Sequence, residues 1–135
     1  MNAIICIDNR GGMMFNKRRQ SMDKVLQQEI LRLSENHKLY MNEYSYKSFS
    51  DVNAENIIVD NQIPKNTGIN DYCFIENIGL MDFYEKIDRI IVFNWNKTYP
   101  ADFFLDIDLK KWKLLNTKEF SGFSHERITM EIYTK

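Results

Sequence analysis

Asp23 is the side chain best placed to do chemistry. At about 100° per residue it falls on nearly the same helix face as Leu26 and Ile30. A carboxylate on an apolar face beside a pocket has its charged form disfavoured by desolvation, which predicts a raised pKa. Such a group supplies a proton or holds a protonated ring. The local alternative is that Ser21 caps the helix and Asp23 sits in its first turn, where any acid suits the helix dipole. Lys17, Arg18 and Arg19 form a basic run just before that helix. It reads either as an anion site for phosphate or a nucleic-acid backbone, or as a solvated loop. The two histidines, His37 and His125, stand at a helix C-terminus and in a polar turn, and are expected at the surface. A dizinc cluster of the H-x-H-x-D-H kind cannot be built from them, and no metal site is expected. A serine, histidine and aspartate triad stays geometrically open, although no G-x-S-x-G elbow is present. Tyr40, Tyr44, Tyr46 and Phe49 are spaced to pack a short helix onto a sheet rather than to stack on bases.

The elements that position these residues belong to a chain of 135 residues, expected to form one domain over 1–135. Apolar residues at 44% and aromatics at 13% place it with globular proteins. A formal charge of −1 gives no overall drive toward nucleic acid or an anionic membrane, so neither is an expected partner. No stretch approaches the ~20 apolar residues of a membrane span, and MNAIICID lacks the basic start of a secretory signal. Cys6 and Cys73 lie in separate apolar runs and read as buried free thiols, consistent with a cytoplasmic protein.

Ala3–Asp8 is a continuous apolar run too short for a helix, so a buried strand ending at Asn9-Arg10-Gly11-Gly12. A helix follows Ser21, with Val25, Leu26, Ile30, Leu31 and Leu33 as its stripe. Lys38–Met41, Asn56–Asp60, Tyr72–Ile75 and Asp88–Asn94 are further strands. Short helices are expected at Glu43–Phe49 and Leu80–Lys86, and a loop at Ile63–Asp71. Strands near Trp112–Leu115 and over the alternating segment Arg127–Tyr133 end the chain. Strands separated by helices, then consecutive strands, imply an α/β fold: a parallel sheet with an antiparallel C-terminal pair.

The order of motifs resembles dihydrofolate reductase. DRIIVFNWNKTYPADFFLDIDLKKW is similar to that family's late strand, its D-x-F-F-P-x-I-D segment and its following Trp. MNAIICIDNRGGM resembles its first strand and loop, LYMNEYSYKSF its V-x-M-G-R-x-T-x-x-S segment, and ENIIVD its R-x-N-I-V-L strand. The resemblance implies a mixed, mostly parallel sheet flanked by helices, an acid at the position of Asp23 that holds a pterin, and a mobile loop where Lys17–Arg19 stand. It also implies NADPH phosphates near a Gly-basic pair, here Asn42 and Glu43, and near a Gly-Gly pair, here Glu76 and Asn77. Ser45 keeps a hydroxyl at the helix start. Glu43 and Glu76 would repel phosphate, and side chains fill the space that glycine leaves open. The basic residue for the folate tail is replaced by Asn53, Ala54 and Glu55, and Phe93 stands where a threonine helps to hold the pterin. Ala3, Ile4 and Phe93 are the expected lining of a remaining apolar pocket. The expectation is therefore a degenerate relative without NADPH that keeps a small-molecule pocket. The alternatives are a divergent reductase using Asp23 as acid, and a protein- or RNA-binding module using the Lys17–Arg19 loop. A dizinc ribonuclease Z activity is not supported by any motif.

Overall fold

The computed structural model describes all residues from Met1 to Lys135. Strand β1 (Asn2–Ile7) lies near the middle of a seven-stranded sheet and is buried almost throughout. It pairs in parallel with β6 (Tyr72–Phe74) on one side and β7 (Arg89–Asn94) on the other. Beyond β6 come β4 (Leu39–Met41) and the edge strand β5 (Ile57–Val59), also parallel. β10 (Ile128–Thr134) runs antiparallel to β7, and β9 (Lys113–Phe120) runs antiparallel to β10. The order is β5-β4-β6-β1-β7-β10-β9, so the parallel sheet with an antiparallel C-terminal pair is as expected.

Alternation along the central strands separates two apolar layers, as period-two geometry requires. Ala3, Ile5 and Ile7 join Ile90, Val92 and Trp112 on one face. Ile4, Ile91, Phe93 and Trp95 meet Leu26 and Ile30 of helix α1 (Lys24–Leu33) on the other. Helix α2 (Glu43–Lys47) follows β4 directly and ends earlier than expected, because the chain tightens there, with Ser48 N–H donating to the Ser45 carbonyl and Phe49 N–H to that of Tyr46. The expected helix near Leu80 is a 3₁₀ turn, Met81–Lys86. The penultimate strand runs to Phe120 rather than stopping near Leu115, because it pairs with β10 from Lys113 to Phe120, with one register shift at Leu115.

One element departs from expectation outright. The basic loop is the turn of a β-hairpin, in which β2 (Gly12–Phe15) pairs with β3 (Arg18–Arg19) and also with β8 (Phe103–Phe104) in a small second sheet. Asn16 and Lys17 form the two-residue connection at φ 51° and 60°. Positive φ at both central residues matches the right-handed strand twist, which is why Asn-Gly is the favoured pair there. The sequence offers Asn but places lysine where glycine is usual, and the turn signal is lost. Replacing Lys17 with Gly should relieve the left-handed strain and stabilise the fold by about 0.5–1 kcal/mol, after the entropic cost of glycine is deducted. A rise in thermal midpoint of a few degrees is expected; an unchanged or lower midpoint would contradict the hairpin geometry.

Candidate functional site

Helix α1 begins where Asp23 supplies its cap. The backbone at Asp23 is extended (φ −145°, ψ 135°), and its carboxylate accepts the N–H groups of Val25 and Leu26 at 2.9 and 3.3 Å. Ser21 is therefore not the cap, and Asp23 is not in the first turn. The same carboxylate reaches about a hundred residues along the chain. It accepts the backbone N–H groups of Phe123 and Ser124, each at 2.9 Å, the Ser124 hydroxyl at 3.2 Å, and Nδ1 of His125 at 2.9 Å. Gly122 makes this approach possible: a Cβ there would lie 2.6 Å from Asp23 Oδ2 and 3.0 Å from the carbonyl oxygen of His125.

These contacts reverse the expected ionisation of Asp23. Burial pushes its carboxyl up. The N–H of Phe123, the His125 imidazole and the N–H groups of Ser124 and Leu26 outweigh that and hold it far below the usual carboxylate range. Asp23 is buried, as a pocket acid would be, but as a sealed anion rather than a proton donor.

His125, expected at the surface, is buried instead. Its ring lies against Trp95, with centroids 4.6 Å apart and a 30° tilt, and Nε2 meets the Ser21 hydroxyl at 2.9 Å and the Tyr99 hydroxyl at 3.4 Å. An anionic carboxylate only accepts, so Nδ1 carries the proton toward Asp23. In the neutral imidazole, Nε2 is then an acceptor for Ser21. Serine, histidine and aspartate thus stand in series, brought together by the segment leading into α1 and the β9–β10 turn. Sequence order gave no hint of this beyond Ser21-Met22-Asp23 and a lone His125.

Tyr99 is held by a second buried acid. Asp8 accepts the N–H groups of Arg10 and Gly12 (2.8 Å each) and of Tyr99 (3.1 Å), and the Gln20 amide (3.1 Å). Burial raises its carboxyl, and those donors bring it below the ordinary range. Tyr99, Pro100 and Gln20 then meet Phe15, Asn16, Arg18 and Arg19 around a cleft of about 460 Å³.

The residues expected to contact a cofactor converge, but on one another. Glu76, buried after β6, pairs with the Arg19 guanidinium at 2.8 and 3.0 Å and accepts the Ser45 hydroxyl at 2.8 Å. Arg19 also lies over the Tyr44 ring at 4.5 Å. Burial lowers its pKa, and Glu76 more than restores it. Asn42 donates from its side chain to that of Asn77 at 2.9 Å, while Glu43 is exposed with its N–H on Asn61. Between β4 and β6, at their carboxyl ends, the remaining cavity is about 30 Å³. That is room for about one water, against the several hundred Å³ of ordinary ligand pockets.

Two further expectations are corrected. Ala3, Ile4 and Phe93 do not line a pocket: each is fully buried in the sheet's own layers, with Phe93 edge-on to Phe120. The Lys17–Arg19 run does not act as one anion site, because strand pairing turns Lys17 and Arg18 to solvent while Arg19 is committed to Glu76. His37 is exposed, and no cluster of potential metal ligands occurs.

No protein-family model and no curated protein matches the chain. Among solved structures it is similar to dihydrofolate reductase from Enterococcus faecalis, a complex with NADP(H) and RAB-propyl. The TM-score is 0.68, with 98% of this chain and 94% of that one covered. The fold is dihydrofolate reductase-like. Sequence identity is 13%, so the likeness lies in the path of the dihydrofolate reductase-like backbone, and the site must be judged on its own residues.

Asp23 gives two tests of this geometry. Asp23→Ala removes a helix cap, takes the acceptor from the Phe123 and Ser124 N–H groups and leaves the buried His125 Nδ1 without its partner, at a cost of about 3–5 kcal/mol. Urea titration should report that loss. The folded pKa is depressed, so the stabilisation is present above the unfolded value of about 3.9 and declines as pH falls below it. The wild-type protein should lose stability on acidification below about pH 4, and Asp23→Ala should lose less over the same interval; equal slopes would contradict the assignment.

Proposed function

We propose that this dihydrofolate reductase-like domain, spanning the chain as one unit, works without NADPH and binds a small anionic molecule in the cleft beside its hairpin. The observation that carries the reading is Glu76. It brings a buried carboxylate to the place where the dihydrofolate reductase resemblance puts a nucleotide phosphate, and its partners Arg19 and Ser45 close the space. One unfavourable charge near a phosphate costs on the order of 1–4 kcal/mol, depending on the local dielectric. Each ~1.4 kcal/mol is tenfold in affinity. The 30 Å³ cavity between β4 and β6 adds a steric bar to the electrostatic one. The cleft of about 460 Å³ is of ligand size and has Arg18 on its rim, with Asn16 and Gln20 as polar groups and Phe15 as an apolar wall.

A divergent reductase using Asp23 as acid is less well supported, since that carboxylate is surrounded by donors and held ionised. A module acting through the basic run is weakened by the Arg19–Glu76 pair. No helix is long and apolar enough to cross a membrane. The unpaired thiols of Cys6 and Cys73 are in keeping with a reducing compartment such as the cytoplasm.

Titration with NADPH, followed by calorimetry or by fluorescence, should give no saturable binding below about a millimolar. Glu76→Gly combined with Asn77→Gly removes the repelling charge, opens the backbone and frees Arg19 for phosphate, and should recover measurable affinity. Micromolar binding by the unaltered protein would reject the proposal.

A further inference from the structure

We propose that Ser21, His125 and Asp23 form a nucleophilic triad that hydrolyses small acyl esters. This deepens the small-molecule reading above by giving the cleft a reaction. It rests on separate observations, namely the geometry at His125. Ser21 Oγ and Asp23 Oδ2 lie 2.9 Å from opposite nitrogens of one imidazole. A nucleophile bonded to a base that is itself oriented by a third group is the arrangement that activates a serine hydroxyl. The roles are recognised from geometry, so the unusual chain order of Ser21, Asp23 and His125 is no obstacle.

Asp23 and His125 are each fixed by contacts outside the triad. Asp23 is locked by four backbone N–H groups and stays ionised. His125 packs at a 30° tilt against Trp95, which is itself buried. Ser21 is half-buried and follows Gln20, a residue that lines the cleft. The neighbouring cleft is lined by Gln20, adjacent in the chain, and by Tyr99, whose hydroxyl touches the same imidazole nitrogen. The backbone N–H groups of Ser21 and Met22 donate to no atom of the chain, and they precede the positive end of α1. Donors of this kind stabilise a developing oxyanion. Arg18 at the cleft rim favours an acyl group carrying a carboxylate.

The reaction balances without a co-reactant other than water. Ser21 Oγ bonds to the acyl carbon as its proton passes to His125 Nε2. The ester C–O bond breaks, and the leaving alkoxide takes that proton as alcohol. Water then attacks the acyl-serine and gives a proton to Nε2. The bond to Oγ breaks, and Ser21 recovers the proton, releasing a carboxylic acid.

The test uses the full chain and a fluorophosphonate probe, with the adduct located by peptide mass mapping. A single adduct on Ser21 is expected, with loss of fluoride. Ser21→Ala should abolish it while leaving the His125–Asp23 pair and the thermal midpoint nearly intact, and His125→Gln should slow it at least tenfold. Hydrolysis of p-nitrophenyl acetate should fall at least tenfold in Ser21→Ala, and p-nitrophenyl hydrogen succinate should be preferred until Arg18 is changed to Ala. No adduct on Ser21 of the wild-type protein, or labelling as fast in a folded His125→Gln, would overturn the triad. If His125→Gln fails to fold, the wild-type adduct map and Ser21→Ala decide the matter. Neither outcome depends on NADPH, so failure here and failure of the cofactor proposal are distinguishable.

Discussion

The carboxylate of Asp23 fixes the relation between the start of α1 and the last hairpin. One oxygen caps the helix and the N–H of Phe123, while the other holds Ser124 and His125. Removing an ion from water is costly, and the cost is offset here by a full set of donors rather than by a single counter-charge. That is why the group remains ionised although it is buried. It also explains Gly122, since no side chain fits between the turn and the carboxylate. The position of His125, its contact with Trp95 and its access to Ser21 all follow from this one anchor.

A second polar knot does comparable work at the opposite edge of the β1–β2 turn. Asp8 gathers that turn, Gln20 and the Tyr99 loop, and so joins residues on two sides of the cleft beside the hairpin. Between the two acids, the β2–β3 hairpin is pinned by Arg19 to Glu76 and by its N–H to the Tyr44 hydroxyl. A segment that the family resemblance casts as a mobile loop is thereby tied to β6 and α2. The same ion pair occupies the Glu76 carboxylate and orders the hairpin.

Thiol chemistry does not compete with these sites. Burial raises Cys73 to about 12, with Asp60 adding to the shift. Burial likewise pushes Cys6 well up, aided by the nearby Glu76 charge. Neither is an effective nucleophile near neutral pH, because the thiolate is the reactive form.

The amino-acid sequence by itself determined the sheet. Short apolar runs at Ala3–Asp8, Tyr72–Ile75 and Asp88–Asn94, and strict alternation at Ile128, Met130 and Ile132, leave few ways to bury those faces. The parallel core with an antiparallel end follows from that pattern. What only the tertiary structure decided is which polar groups meet. Asp23 was expected to be raised by desolvation; its donors come from residues 123–125, a hundred positions away, and they reverse the sign. His125 was expected in solvent because its neighbours are polar, and the Asp23 contact and the Trp95 ring bury it. Ala3, Ile4 and Phe93 were expected to line a pocket, and the packing of the sheet's two faces buries them in the core instead. Hydrophobic burial is local enough to be written in periodicity, whereas a hydrogen-bond network depends on partners that only the folded chain brings within 3 Å of one another.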